Sequence, residues 1–244
     1  YDETRKILES KNLIVKNYEN LNLFLIKYDK SKCDMNDSDV RKCRGLILEK
    51  NTNKVVCVPP LKSDKTDVLN DIEFNKLVVE EFPDGTMINI FKYNNKLMIS
   101  TRSNIGANCR YYSPKTFRIL FEESIDDETY NKLENIDEGV SFSFVLQHPE
   151  NIIVSKYPSP SLVLVHGCFF REEKELEFID NIRSKEYFVK KGICPDVFTI
   201  PAKFDVKNLD DIYSIVGKMD QYKQGVVIKS IDGKNYMRTK IRNE

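Results

Sequence analysis

The sequence contains no Cys-x-x-Cys pair and only two histidines, His148 and His166, which argues against a zinc centre. Its six cysteines (Cys33, Cys43, Cys57, Cys109, Cys168, Cys194) are scattered and read as reduced thiols of a cytosolic-type protein. Lys+Arg and Asp+Glu both total 38, so no global charge draws the chain to nucleic acid or membrane. A nucleic-acid site would have to be a local basic patch. No apolar run approaches the roughly 18–20 residues of a membrane span, and no signal peptide is visible. Internal repeats, low-complexity runs and Gly/Ser linkers are also missing. The chain opens at Tyr1 without Met and stops in charged sequence at Arg242-Asn243-Glu244, which reads as a piece of a longer protein or a processed product.

What remains is an ordinary globular composition. With 244 residues, 41% hydrophobic and 31% charged, the chain is long enough to bury a sizeable core. Abundant Asn, Lys, Ile, Asp and Tyr point to an AT-rich genome, viral ones included. Residues 2–10 are good helix formers. Strands are expected over 21–28, 45–48, 55–58, 77–80, 87–93, 96–101, 140–146, 151–155 and 162–166. Residues 34–39 read as a polar loop. Asn94-Asn95 marks the clearest hairpin, because Asn tolerates the positive φ of a two-residue turn. Ser113-Pro114 opens an expected helix through Phe121, with others over 127–133 and 209–218. Residues 171–190 are charged and helix-leaning, and the mixed signs of 171–175 fit a solvated face. Gly225 to Ser230 and Tyr236 to Ile241, flanking Asp232-Gly233, form a closing hairpin. The expected class is α+β with a mostly antiparallel sheet core and peripheral helices. A single domain over 1–244 is favoured, with an N-terminal subregion at 1–40 and a core at 41–241.

Several segments, read in order, resemble RNA ligases of the phage T4 ligase 1 type, in the covalent nucleotidyltransferase superfamily. Cys43-Arg44-Gly45-Leu46-Ile47 is similar to the Cys-Arg-Gly-hydrophobic strand that precedes the active site there. Pro59-Pro60-Leu61-Lys62 matches a Pro-containing turn before Lys-Phe-Phe-Asn, with Ser63 and Asp64 in place of the aromatics. Phe82-Pro83-Asp84-Gly85 falls on the Lys-x-Asp-Gly attachment motif, with Phe82 where the lysine belongs. Thr101-Arg102-Ser103 resembles Thr-Arg-Gly. Residues 144–151 resemble Phe-Glu-hydrophobic-x-His-Pro-x-Asn, with Val145 for the acid. Gln224-Gly225-Val226-Val227 resembles Glu-Gly-Val-Val, and Arg238-Thr239-Lys240 the final Lys-x-Lys.

That resemblance implies a two-sheet, ATP-grasp-like adenylation domain with the nucleotide between the sheets, and ATP and Mg²⁺ as cofactors if binding or activity persists. A lysine amine would attack the α-phosphate of ATP and pass the adenylate to an RNA 5′-phosphate. Phe82 has no lone pair for that step. Val145 and Gln224 lack the carboxylates that hard metal ions want. Three coherent losses describe a pseudoenzyme that cannot form a lysyl-adenylate, while Arg44, Lys62, Asp84, Gly85, Arg102, Arg238 and Lys240 keep the motif positions of a nucleotide and phosphate site. Pro-Asp-Gly is also an ordinary turn.

A displaced nucleophile is the alternative. Lys76 lies six residues before Phe82, about 20 Å along a strand, and Lys92 sits on the adjacent hairpin. A ligase that seals preadenylated RNA would need no nucleophilic lysine. His148 fits a structural His-Pro turn, His166 a packed strand end, and Cys43 a core thiol beside Arg41, Lys42 and Arg44. Arg102, Arg110, Lys115 and Arg118, interleaved with Tyr111, Tyr112 and Phe117, form a basic-aromatic segment of the kind that binds single-stranded RNA, or else a solvated helix face. RNA and a protein partner are the expected ligand classes, the latter if the chain is purely an interaction module.

Overall fold

A computed structural model describes residues 1–64, 69, 73–111, 113–170, 176–230 and 238–243. Helix α1 (Asp2–Ser10) precedes an antiparallel four-stranded sheet, β1 (Ile14–Tyr18), β2 (Leu23–Lys27), β3 (Arg44–Glu49) and β4 (Val55–Cys57), in that order. Helix α2 (Ser38–Lys42) leads into β3, with the Asp37 carboxylate accepting from the Asp39 N–H at its start.

The second sheet has five strands in the order β10-β9-β8-β6-β7, all antiparallel. They are β6 (Thr86–Tyr93), β7 (Lys96–Ser100), β8 (Val140–Gln147), β9 (Ser161–Phe169) and β10 (Glu177–Ile179). Asn94 and Asn95 close the β6–β7 hairpin at φ of 49° and 59°, the left-handed pair expected of that turn. Helices α3 (Phe117–Glu122), α4 (Asp127–Leu133) and α5 (Asn181–Lys190) cover one face. There Phe142 and Phe188 meet at 4.4 Å and Phe144 and Phe198 at 4.7 Å between ring centroids, all four rings buried. Truncating one such ring costs about 3–5 kcal/mol.

The third sheet runs β11-β5-β12-β13, from β5 (Leu77–Glu81), β11 (Lys203–Phe204), β12 (Gly225–Ser230) and β13 (Arg238–Arg242). Helix α6 (Leu209–Gly217) packs Ile212 and Val216 onto it. Strand β12 pairs with β13 from Gly225↔Arg242 to Lys229↔Arg238, so the closing hairpin forms as expected. Its turn, like residues 171–175, lies outside the described residues.

A buried polar bridge joins the second and third sheets. Lys229 on β12 donates to the Glu80 carboxylate on β5 at 2.8 Å and to the Val165 carbonyl on β9 at 2.8 Å. Asn181 at the start of α5 donates to the other Glu80 oxygen at 3.1 Å. Beside it His166 meets the Val58 carbonyl at 3.1 Å. That oxygen only accepts, so His166 Nε2 carries the proton. Burial, with Lys229 and Arg238 nearby, pushes the imidazole down to about 3.

Five expectations change. Residues 151–155 are not a strand; the Val154 and Ser155 N–H groups, which a ladder would use, both donate to the Asp84 carboxylate at 3.0 Å. The helix expected from Ser113-Pro114 starts at Phe117, capped by Thr116, while Ser113 Oγ is engaged by the Lys115 N–H. Part of the 34–39 loop belongs to α2, and β1 was not expected. The strands form three hydrogen-bonded sheets, all contributing to the cleft described next. Buried Cys43 is a core thiol as expected; burial, with Asp39 adding to it, pushes it up to about 12, so its basic sequence neighbours do not activate it.

Candidate nucleotide and phosphate site

A cleft of about 470 Å³ opens where the three sheets meet. Strand β3 brings Arg44, the end of β5 brings Phe82, β6 and β8 bring Met87, Asn89 and Val145, and β13 brings Arg238 and Lys240. The loop after β7 adds Arg102 and Ser103.

Local geometry explains the convergence. Gly45 has φ +94°, and a Cβ there would sit 3.0 Å from the Arg102 Cα. Glycine thus permits the close approach that sets Arg44 beside Arg102. The Arg102 guanidinium lies 4.8 Å from the Tyr28 ring and donates to the Tyr28 carbonyl at 3.4 Å. Lys16 and Lys27 fasten the same loop through the Ser103 carbonyl and hydroxyl at 2.7 and 3.2 Å. Arg238 is buried and donates to the Leu61 carbonyl at 3.2 Å and to Ser63 Oγ at 2.9 Å. Ser63, one of the residues replacing the family aromatics, therefore anchors a cleft arginine. Asp64, the other, pairs with Arg41.

Alternation along β13 turns Arg238, Lys240 and Arg242 to one face. Lys240 Nζ lies 3.8 Å from the Phe82 ring centroid, and the Arg242 guanidinium 5.5 Å from it. Burial, together with Arg238, Arg44, Arg242 and Lys30, brings the Lys240 ammonium down to about 6. No aspartate or glutamate lines the cleft among the described residues. Its donor set suits anions and does not suit a divalent cation, which needs carboxylate oxygens.

Of the residues named from the sequence, Arg44, Phe82, Gly85, Arg102, Val145, Arg238 and Lys240 line one cleft. Three others lie elsewhere. The Lys62 amine meets the Ser63 carbonyl at 3.3 Å and does not line the cleft. Asp84 faces the 154–155 backbone, where its carboxylate fixes the loop. Gln224 is half-buried at the start of β12 and also stays outside the lining, its carbonyl accepting from the Asn243 N–H. Gly85 is required where it stands, since a Cβ would meet the Leu146 carbonyl oxygen at 2.4 Å.

The basic-aromatic segment divides. Arg110, exposed Tyr111 and Phe117 line the cleft mouth. Lys115 pairs with Glu150 at 2.7 Å and Glu123 at 2.9 Å, and Arg118 with Glu122 at 3.1 Å, so these charges are offset. Tyr112 lies outside the described residues. Glu123, His148 and Glu150 cluster closely, but the Lys115 ammonium already bonds both carboxylates. His148 Nδ1 accepts from the Glu150 N–H, as suits a structural turn. Neither Lys76, paired with Glu73, nor Lys92, bonded to the Glu134 carbonyl, reaches the cleft.

Two features escaped sequence reasoning. Buried Asn89 on the cleft floor is held by Ser143 at 2.7 Å and Ser100 at 3.3 Å; the signal was polar residues at inward positions of apolar strands. The contact of Lys240 with Phe82 joins residues 158 positions apart and has no local signature.

No family model matches the chain. It is 30% identical over 164 residues to a protein named a bifunctional polynucleotide kinase/RNA ligase of Autographa californica nuclear polyhedrosis virus, covering 59% of this chain and 23% of that one. An archaeal ATP-dependent RNA ligase matches the fold at a TM-score of 0.63 and 13% identity, covering all of this chain and 61% of the other. An ATP-dependent DNA ligase from Aquifex aeolicus matches at 0.60 and 17% identity, covering 98% and 61%. A Naegleria gruberi RNA ligase variant, solved with ATP and Mn, matches at 0.54 and 10% identity, covering 71% and 51%. The chain thus spans about a quarter of the viral relative and about three fifths of the first two ligase structures. Its fold is that of the nucleotidyltransferase domain of ATP-dependent ligases, and the resemblance to RNA ligases stands on both sequence and fold.

Proposed function

We propose that this chain is a degenerate RNA-ligase-like unit of a longer polypeptide, which holds nucleotide or RNA phosphates in its cleft and runs no ligation cycle through residue 82. The observation that carries the reading is the convergence of Arg44, Arg102, Arg238 and Lys240 on a cleft whose described lining has no carboxylate. Guanidinium groups grip phosphate oxygens through paired N–H donors, and Arg238 is already oriented by Leu61 and Ser63. Tyr111 at the mouth offers an aromatic face for a base. ATP and RNA are the ligand classes to try, since ligases of this fold are solved with ATP and Mn and the viral relative is named an RNA ligase. A resident divalent metal does not fit the lining, and no step is assigned to one. Six free thiols suit a reducing, cytoplasmic compartment.

The test is calorimetric titration with ATP and with a short 5′-phosphorylated RNA at low salt, where phosphate contacts are strongest. Binding that Arg102→Ala and Arg44→Ala each weaken supports the reading. Absence of binding to either ligand refutes it and favours a pure protein-interaction module.

A further inference from the structure

Among the described residues the cleft holds one amine that is chemically available. Among the described lysines, Lys229 is committed to Glu80 and Val165, and Lys115 to two glutamates. Lys62, Lys76 and Lys92 do not line the cleft. Lys240 lines it, and among the described residues no hydrogen bond or ion pair holds its Nζ. What faces it is the Phe82 ring and a ring of cations, Arg44 from β3, Arg238 and Arg242 from β13, and Lys30 from the loop after β2. Acids on neighbouring elements are engaged elsewhere: Glu80 by Lys229, Glu81 by Lys223 at 2.7 Å, and Asp64 by Arg41.

Position matters as much as availability. Strand β12 separates β13 from β5, with Val227 paired to both Lys240 and Glu80. Two strand spacings, about 10 Å, thus divide the Lys240 backbone from the strand that ends at Phe82. The Lys240 side chain reaches across toward that strand, and its Nζ lies 3.8 Å from the ring centroid of residue 82. An amine entering from β13 therefore occupies the region that a side chain at position 82 would otherwise supply.

We propose that Lys240 is a relocated nucleophile that takes a nucleotidyl group from a nucleoside triphosphate bound among Arg44, Arg102 and Arg238. This rests on the reading that the cleft holds nucleotide phosphates. The Nζ lone pair attacks the α-phosphorus, and an N–P bond forms. The bond from that phosphorus to the bridging oxygen breaks, its electron pair leaving with pyrophosphate, and the displaced amine proton goes to solvent. The product is a phosphoramidate, with no change in oxidation state. An amine near 6 is about nine-tenths unprotonated at pH 7, whereas an ordinary lysine is almost wholly charged. The packing that desolvates Lys240 is what frees its lone pair.

The experiment incubates the full chain with α-labelled ATP and Mg²⁺, then applies denaturing electrophoresis and peptide mass spectrometry, with ATP binding measured in parallel by calorimetry. The expected result is an acid-labile, alkali-stable adduct on Lys240 that added pyrophosphate removes. At ATP well below saturation, where the free protein's titration governs, the initial rate rises with pH and levels off above about 6, where an ordinary lysine would keep rising toward 10.5. Lys240→Arg, which keeps the charge, retains ATP binding and loses the label, while Lys92→Arg retains both. Saturating ATP binding by the wild type without label, or a label mapped to another residue, overturns the assignment and leaves the binding reading intact. No ATP binding overturns the assignment and, with it, the nucleotide part of the binding reading, leaving RNA phosphates to the separate titration. Site mapping on the wild type decides the matter even where a variant fails to fold.

Discussion

The clearest quantitative consequence concerns how salt and pH act together on RNA binding. Five cations, Arg44, Arg102, Arg110, Arg238 and Lys240, line the cleft. The arginines stay charged at any working pH, but Lys240 titrates near 6. For single strands each neutralised phosphate contributes about −0.7 to the slope of log K against log salt. At about pH 8 the amine is neutral, so four charges act and the slope is about −2.8; at about pH 5 five act and it is about −3.5. Raising salt from about 50 to about 200 mM should therefore weaken binding about 50-fold at the higher pH and about 130-fold at the lower.

Fluorescence anisotropy with a short 5′-hydroxyl oligoribonucleotide is the suitable assay, because its phosphodiesters do not titrate in this range, whereas a terminal phosphate has a second pKa near about 6. Arg102→Ala should make the slope shallower by about 0.7 at both pH values, and Lys240→Gln should abolish the pH dependence. A slope that ignores pH in the wild type, or one that Lys240→Gln leaves unchanged at low pH, would refute a cleft in which Lys240 and the arginines share the phosphates. A bound phosphate favours the ammonium, so the apparent titration of Lys240 should also move upward in the complex.

His166 titrates near 3 when folded and near 6.5 when unfolded, so between those values the unfolded chain binds the extra proton. Stability is then fully present above about 6.5 and falls with pH, by about 2 kcal/mol at pH about 5, in urea melts; His166→Gln should flatten that fall. Lys229→Met strands the Glu80 carboxylate, 3% exposed, and should cost about 3–5 kcal/mol, whereas Lys229→Met with Glu80→Leu should recover most of it in a thermal double-mutant cycle. Gly85→Ala meets both a φ of +142° and the Leu146 carbonyl, and should lose about 2 kcal/mol or more by denaturant titration. Wild-type stability in that variant would mean that the 82–85 turn has another backbone path.

Legibility followed the range of the interactions. The β6–β7 hairpin was readable because Asn94-Asn95 specifies its turn locally, and α4 because Asp126 caps a short amphipathic run. The 151–155 segment misled because Ile152, Ile153 and Val154 have strand composition, while their conformation is set by Asp84, some 70 positions away. The cleft cations were legible only as motif members in order. Nothing local says that Arg238 would turn toward Ser63, or that Lys62 would stay outside while Lys240 went in. Asp84 is the instructive miss: its place in the motif suggested a phosphate site, but two backbone donors claim its carboxylate.

The residues at 82 and 145 are physically coupled. Phe82 and Val145 line the cleft and also border a hollow of about 30 Å³ behind it, with Met87, Pro83 and Val227. A glutamate at 145 would be buried among those apolar groups, where a carboxylate is costly unless paired, and the nearby cations would claim it. It would return charge to Lys240 and end the amine's reactivity. A lysine at 82, conversely, would add a further cation to a site already crowded by Arg44, Arg238, Lys240 and Arg242, with no lining carboxylate to offset it. A lysine at 82 and a glutamate at 145 would thus each need the other as partner, and a ring at 82 is compatible with the cationic cleft because its π-face receives the Lys240 and Arg242 heads without adding charge. The apolar pair and the cationic rim form one self-consistent arrangement built for anions, and a single reversion at either position would oppose it.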